Sequence, residues 1–377
     1  MLITGIREVQ SHSDWNAFLS LPWKIFENDP YWVPPLLMEQ KSILNKKKNP
    51  YFKHCTYKAW TIYKDGDSIG RILAYIDSSH NSLYKEQTGF LGFFECINDQ
   101  ATVEILFNTA IQWLNEEGMS KVYGPMNFSI ANECGVLLNG FDSPPVLQMN
   151  HTPSYYSRLF ENAGFVKAHD LFAYQVTEDI IKRQEKFVKR LQQLSEAILK
   201  KEGIIIRKIN LDNYEEELEN VNTLFNSFMK DTWGFVPSSI EEMKYSSRSL
   251  KSIADQEMIY MAEVNNKVVG CSLSIPDFNE VLKHMNGRLL PTGIFKVLWY
   301  RNKIKGLRLI LLGITHEYRN LGLDIVFYYY TIINGLNRGY NKAELSWISE
   351  DNSRLISIIE KFGATRYKTY RMFKKDI

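Results

Sequence analysis

Alternation of apolar and polar positions predicts two series of elements that repeat along the chain. Trp60 to Asp77 reads WTIYKDGDSIGRILAYID, two alternating strands around an Asp65-Gly66 turn. Met258 to Asp277 reads MIYMAEVNNKVVGCSLSIPD, the same pattern around Asn265-Asn266. Gly70 and Gly270 are 200 residues apart, and so are Asp77 and Asp277. Each hairpin has the same prelude. A strand at Leu2 to Val9 and a helix at Trp15 to Phe26 precede the first; a strand at Ile204 to Ile209 and a helix at Tyr214 to Met229 precede the second. Downstream, helices Ala101 to Glu117 and Leu323 to Arg338 stop at Gly118 and Gly339, as glycine C-caps favour, and each is followed by a strand. Tyr155 to Phe165 and Asn352 to Ala364 then predict a last helix in each series.

Each series therefore reads β-α-β-β-β-α-β-α-β. The expected fold class is α/β with a mixed sheet, in two copies of one domain spanning 1–176 and 203–377. Between them, 177–202 carries Ile181, Val188, Leu191, Leu194 and Ile198 at helical spacing with charges between, which predicts an amphipathic linker helix. The first copy has an extra loop at Asn127 to Asn150, rich in Gly, Pro and Asn.

Composition narrows the class. Of 377 residues, 45% are hydrophobic and 23% charged, which suits two globular cores and excludes a disordered or low-complexity chain. Aromatic residues are unusually frequent, at 13%, so thick cores or an apolar substrate site are expected. A net charge of +2 carries no nucleic-acid signature. Cys55, Cys96, Cys134 and Cys271 are scattered without a C-x-x-C pair, which predicts neither disulfide framework nor zinc site and points to a reducing cytoplasm. His151, His169 and Asp170 match no metal-ligand spacing. No secretory signal is visible in Met1 to Gln10, and no window is apolar enough to span a bilayer.

The sharpest motif is LILLGITHEYRNLGLD, Leu309 to Asp324, an apolar strand running through a turn into a helix. Unpaired N–H groups of such a turn and helix start can hold a pyrophosphate, and glycine lets the backbone approach it. This order resembles the acyl-CoA-binding motif of the GNAT acyltransferase superfamily. The resemblance implies a coenzyme A thioester as donor and no metal. It places the cofactor on Leu312, Gly313 and Ile314 of the strand, on Arg319, Asn320, Leu321, Gly322, Leu323 and Asp324 of the turn, and at Asn352, which also suits a helix cap. Two departures stand out. Asp324 occupies a place where Gly or Ala is usual. Ile359 and, in the first copy, Phe160 stand where many members carry a proton-donating tyrosine. In the first copy the strand Gly89 to Cys96 leads into Ile97-Asn98-Asp99-Gln100 with no phosphate turn, so that copy is expected to be degenerate and free of CoA.

Stretches over nearly the whole chain look like the bacterial ceramide synthase-like family: DPYWVPP (Asp29 to Pro35), GFLGFFE (Gly89 to Glu95), YGPMNFS (Tyr123 to Ser129), GVLLNGFDSPP (Gly135 to Pro145), WGFVP (Trp233 to Pro237) and AELSWISEDN (Ala343 to Asn352). That resemblance implies transfer of an acyl group from an acyl-CoA to an amine, a small molecule or a sphingoid-type lipid.

Amide formation needs a base for the amine and donors for the thioester oxyanion. By superfamily analogy the strand Leu311 to Ile314 supplies such an N–H. Glu344, with Ser346 on the same side of its strand, is the candidate base; a structural ion pair is the competing role. Trp347 is a candidate for substrate contact. Glu95, Asn127, Asn132 and Glu133 of the first copy could fix a headgroup or only satisfy their own loop. Lys283 to Arg308 holds seven basic residues, no Asp or Glu, and interspersed Leu, Ile, Phe and Trp, as a peripheral membrane contact would; a solvated helical face is the alternative. Two further readings compete with the enzyme: a non-enzymatic binding protein of the same fold, and a FemX-like transferase with another donor.

Overall fold

A computed structural model describes residues 3–377. The first strand, β1, covers Ile3–Glu8; Leu2, expected to begin it, lies outside the described residues. The first copy continues with α1 (His12–Ile25), α2 (Leu37–Ile43), β2 (Cys55–Lys64), β3 (Asp67–Asp77), α3 (Ser78–Tyr84), β4 (Thr88–Cys96), α4 (Gln100–Glu116), β5 (Lys121–Gly124), a short β6 (Val136–Asn139), α5 (Tyr156–Asn162) and β7 (Val166–Thr177). Next come α6 (Glu178–Arg183) and α7 (Glu185–Leu199). The second copy comprises β8 (Ile204–Lys208), α8 (Tyr214–Met229), α9 (Ile240–Lys251), β9 (Ile259–Val264), β10 (Lys267–Pro276), α10 (Asn279–Leu282), α11 (Gly293–Tyr300), β11 (Gly306–Ile314), α12 (Leu323–Asn337), β12 (Lys342–Ser349), α13 (Ser353–Lys361) and β13 (Thr365–Asp376).

The internal repeat is visible in single residues. Asp77 caps α3 by accepting from the backbone N–H of Ser79 and His80. Asp277, at the same place after β10, accepts from the N–H of Asn279 and Leu147. The segment between the copies is two helices rather than one. Gln184 ends α6, its N–H donating to Ile180 and Ile181, before α7 starts at Glu185.

All strands join one mixed sheet, in the order β1-β2-β3-β4-β5-β13-β7-β12-β11-β10-β9-β8, with β6 beside β13. The two copies exchange their last strands. β13 pairs antiparallel with β5 of the first copy, and β7 pairs antiparallel with β12 of the second. β7 and β13 are also each other's neighbours at the centre. One face of the sheet is covered by α4 and α5 over the first copy and by α7, α12 and α13 over the second. The other face carries α1, α8 and the extra loop, packed on an aromatic core that includes Phe18, Tyr57, Tyr75, Phe93, Phe128 and Tyr370. Much of the aromatic excess is placed there.

Candidate active site

In the second copy, β11 and β12 run parallel and are paired only from Gly306–Lys342 to Leu309–Leu345. β11 continues to Ile314 and β12 to Ser349, so the two strands part above Leu309 and leave a wedge. Leu312, Gly313 and Ile314 lie along this stretch of β11. Leu312 and Ile314 pack under α12, while Gly313 lies against the Phe228 ring, which a Cβ would meet at 2.3 Å. In the first copy the matching wedge is filled. β4 and β5 pair only over Thr88 to Phe90. Beyond them Met126 donates its N–H to Leu91 O (2.7 Å), and Asn127 Oδ1 accepts from Phe93 N–H (2.7 Å). Gly92 is required there, because a Cβ would stand 2.3 Å from Met126 O. The chain itself thus occupies the position that the second copy leaves open.

The turn after β11 is a short helical segment, His316–Leu321, closed by Gly322 in the left-handed region (φ 78°). Gly322 is the N-cap of α12 and offers no side chain to the first-turn N–H groups; that of Ile325 donates to Gly322 O (3.0 Å), and those of Leu323 and Asp324 stay available to an anion. Arg319 Nε donates to Ile314 O (3.4 Å), tying the turn to the strand end; Asn320, Leu321 and Leu323 complete it. Asp324 sits in the first turn of α12. Asn352 caps α13, accepting from Leu355 N–H (3.2 Å), so its side chain is committed to the helix.

On the helix-covered face below the wedge runs an apolar groove with about 950 Å³ of empty space, its open mouth included. Its walls are α12 (Tyr328, Thr331, Ile332), α13 (Ile358, Ile359) with its C-cap Phe362, the strand residues Leu309 and Leu345, and Phe187 of α7. Asn341 and Lys342 line it as well as hydroxyls; among the latter, burial pushes Tyr328 up to about 12, and Thr331 Oγ1 and Ser274 Oγ are buried without a partner. Tyr328 and Ile359 both line this groove, where the sequence shows no tyrosine on α13.

Glu344 and Ser346 point to the opposite face of the sheet, under the extra loop. Glu344 is 2% exposed, and its Oε1 accepts from Ser346 Oγ at 2.5 Å. Its Oε2 is buried without a partner, as are Trp347 Nε1 and Tyr370 Oη beside it. The Trp347 and Tyr370 rings meet edge-on at 4.6 Å. Burial pushes the Glu344 carboxyl up to about 7, against the pull of Arg308. Arg308 is wholly buried and donates to Ser346 Oγ (3.1 Å) and Leu147 O (2.8 Å). Lys368, also wholly buried, donates to Ser143 O (2.8 Å) and Gly140 O; burial pulls it down to about 8. Residues 140–149 thus form a strap over Glu344, held by two buried cations of the second copy. Lys368, Tyr370 and Tyr328 were not singled out by sequence, and Arg308 was expected at the surface as the last basic residue of 283–308, whereas it is buried in β11 because its guanidinium serves Ser346 and the strap. Their signals, basic residues in strands and three tyrosines in a row, do not tell which is buried.

The first-copy candidates are brought together around Asn127. Asn127 Nδ2 donates to Glu133 Oε2 (3.0 Å), Asn132 donates to Asn127 O (3.1 Å), and Glu95 pairs with buried Arg71. Burial, then the charge of Glu95, pushes Glu133 up to about 7. Their hydrogen bonds are spent within the loop and its strands. Among the described residues no group of three His, Cys, Asp or Glu side chains is placed to hold a metal ion, and no helix is long and apolar enough to cross a membrane.

No protein-family model matches the chain. A bacterial ceramide synthase of Caulobacter vibrioides is 32% identical over 379 residues, covering 98% of this chain and 96% of that protein. Protein YghO of Escherichia coli is 34% identical, covering 99% and 95%. Among solved structures, a tandem GNAT protein from the clavulanic acid biosynthesis pathway aligns over 99% of this chain and 98% of its own, with a TM-score of 0.58 at 10% identity. A GCN5-related N-acetyltransferase from Sphaerobacter thermophilus covers 100% and 97%, with a TM-score of 0.52 at 12% identity. The open wedge beside an uncapped helix start, the filled wedge of the first copy and the full-length likeness agree: the chain belongs to the bacterial ceramide synthase family of N-acyltransferases, built on a tandem GNAT fold whose first copy is degenerate.

Proposed function

We propose that the protein transfers a fatty acyl group from a coenzyme A thioester to an amine, the acceptor being a long-chain, sphingoid-type lipid amine. The carrying observation is the apolar groove below the open wedge of the second copy. In this reading the CoA pyrophosphate sits on the N–H groups around Gly322 to Asp324, and the acyl chain fills the groove between α12 and α13. The carbonyl carbon then lies in the wedge, with N–H groups of Leu311 to Ile314 as oxyanion donors.

The acceptor approaches from the other face, where Glu344 waits under the strap. Its unpartnered Oε2 takes the proton of the attacking amine; a carboxyl near 7 is suited to that task at neutral pH. The N–C bond forms as the C–S bond breaks, and Tyr328 is the hydroxyl that the groove offers to protonate the leaving thiolate. Arg308 and Ser346 are positioning residues for Glu344, and Trp347 and Tyr370 line the acceptor headgroup. Within 283–308 the exposed part, 288–303, is the contact with a membrane surface from which a lipid amine is drawn, whereas 306–308 lie buried in β11; the two copies divide at 176 and 203.

Titration calorimetry with acetyl-, octanoyl- and palmitoyl-CoA tests the reading. Each buried methylene stabilises by about 0.8 kcal/mol, so Kd falls by roughly tenfold for each pair of methylenes until the groove is full. Ile332→Trp fills the groove and removes that dependence. Equal affinity for all three thioesters, or none, would overturn the assignment.

A further inference from the structure

One apolar surface is left without a partner. α11 turns Ile294, Phe295, Leu298 and Trp299 outward, within about 140° of arc at 100° per residue. Phe295 is 73% exposed, Trp299 67%, Leu298 59%, and Leu290 just before the helix 69%. Such clustering is uncommon on a soluble protein and marks an interaction site.

The helix presenting them is firmly seated. Gly293 is buried, and a Cβ there would stand 2.6 Å from Arg288 O. Val297 and Tyr300 pack on Val281, Leu282 and Met285, and on Val33 and Leu36 of the first copy. The Tyr300 ring stacks on His284 with centroids 4.0 Å apart, and Leu37 N–H donates to Gly287 O. The outward side chains are therefore held out by a fixed base.

Charge decides the occupant. Lys283, Arg288, Lys296, Arg301 and Lys303 are all exposed around the apolar face, and 283–308 contains no Asp or Glu. Lys303 lies over the Trp299 ring at 4.5 Å, a cation beside an interfacial aromatic. A second copy placed face to face would set these cations against themselves, with no acid in the segment to answer them. An apolar tip ringed by cations fits a bilayer surface bearing anionic lipids.

We infer that α11 and Leu290 form a docking surface for anionic phospholipid membranes, with Phe295, Leu298 and Trp299 inserted at the headgroup level. The inference rests on the membrane contact of the proposed function, but it is read by binding alone, without turnover.

The test is vesicle flotation with the full chain, using phosphatidylcholine vesicles with and without 30% phosphatidylglycerol. Each basic residue near an anionic surface is worth about fivefold in partitioning, so the wild type floats with the anionic vesicles at low salt and is released at high salt. Phe295→Ser with Trp299→Ser lowers partitioning on the order of 100-fold, and Lys296→Glu with Arg301→Glu abolishes the preference for anionic lipid. Both pairs leave acylation of a water-soluble amine unchanged. Wild-type protein that stays with the buffer, floats equally with neutral vesicles, or floats undiminished after the Phe295 and Trp299 changes overturns the inference. So does light scattering showing a dimer that those changes dissociate. Absent turnover with flotation intact overturns the proposed reaction and leaves the docking surface standing.

Discussion

Replacing Glu344 with glutamine separates the burial of this carboxyl from its chemistry. In the unfolded chain the carboxyl ionises near 4.5, and in the fold it is pushed up to about 7. Between those values the native state holds a proton that the unfolded chain has lost. The contribution to stability is therefore whole at the acid end of the window, declines as pH rises through it, and levels off above 7. The full shift corresponds to about 3 kcal/mol. A glutamine resembles the protonated acid and does not titrate. Glu344→Gln should thus match the wild type near pH 5 and exceed it by about 2–3 kcal/mol at pH 8. Glu133, also raised by burial, titrates in both proteins and cancels in the comparison; Asp277 and Lys368 are coupled to Glu344 by charge, so their response is part of the measured difference. Urea unfolding followed by circular dichroism at the two pH values measures the difference. A difference that is the same at both pH values would refute the reasoning, because the carboxyl would then titrate alike folded and unfolded. The same variant carries a second readout: kcat/KM falls by 10² to 10⁴, and the acid limb near pH 7 disappears.

Asn127→Ala removes both the acceptor of Phe93 N–H and the donor to Glu133, costing about 1–3 kcal/mol in thermal or urea unfolding. Acyl-CoA affinity stays as in the wild type, because the first-copy wedge is filled by chain. Gly322→Val places a β-branched residue at φ 78° and its Cβ 3.1 Å from Ile198 Cδ1. It should weaken CoA binding by calorimetry at least tenfold while circular dichroism stays native.

What was legible from sequence is what local pattern dictates. The two hairpins, the glycine-capped helices and the Asp77 and Asp277 pair announce the repeat, because both copies use the same residues at the same turns. The strand exchange was not legible. β7 and β13 have alike alternation, and which fifth strand each joins depends on contacts some two hundred residues away. The filled wedge rests on Met126 and Asn127 meeting Leu91 and Phe93, which no periodicity shows. That Glu344 and Ser346 share one side of a strand beside the turn was legible, because they alternate there. Lys368 was missed because its partners, the carbonyls of Gly140 and Ser143, lie far back in a loop, and a lysine in an alternating strand reads as exposed. The linker reads as one amphipathic helix, whereas the break at Gln184 lets Ile181, Phe187 and Leu191 all reach the groove.

The most direct test of the central claim is mass spectrometry of products after incubation with palmitoyl-CoA and sphinganine, with free thiol titrated in parallel. The expected products are the N-acyl amide and one free CoA for each amide formed, both lost with Glu344→Gln. Palmitoyl-CoA left intact, or converted to free palmitate without amide, would contradict the claim.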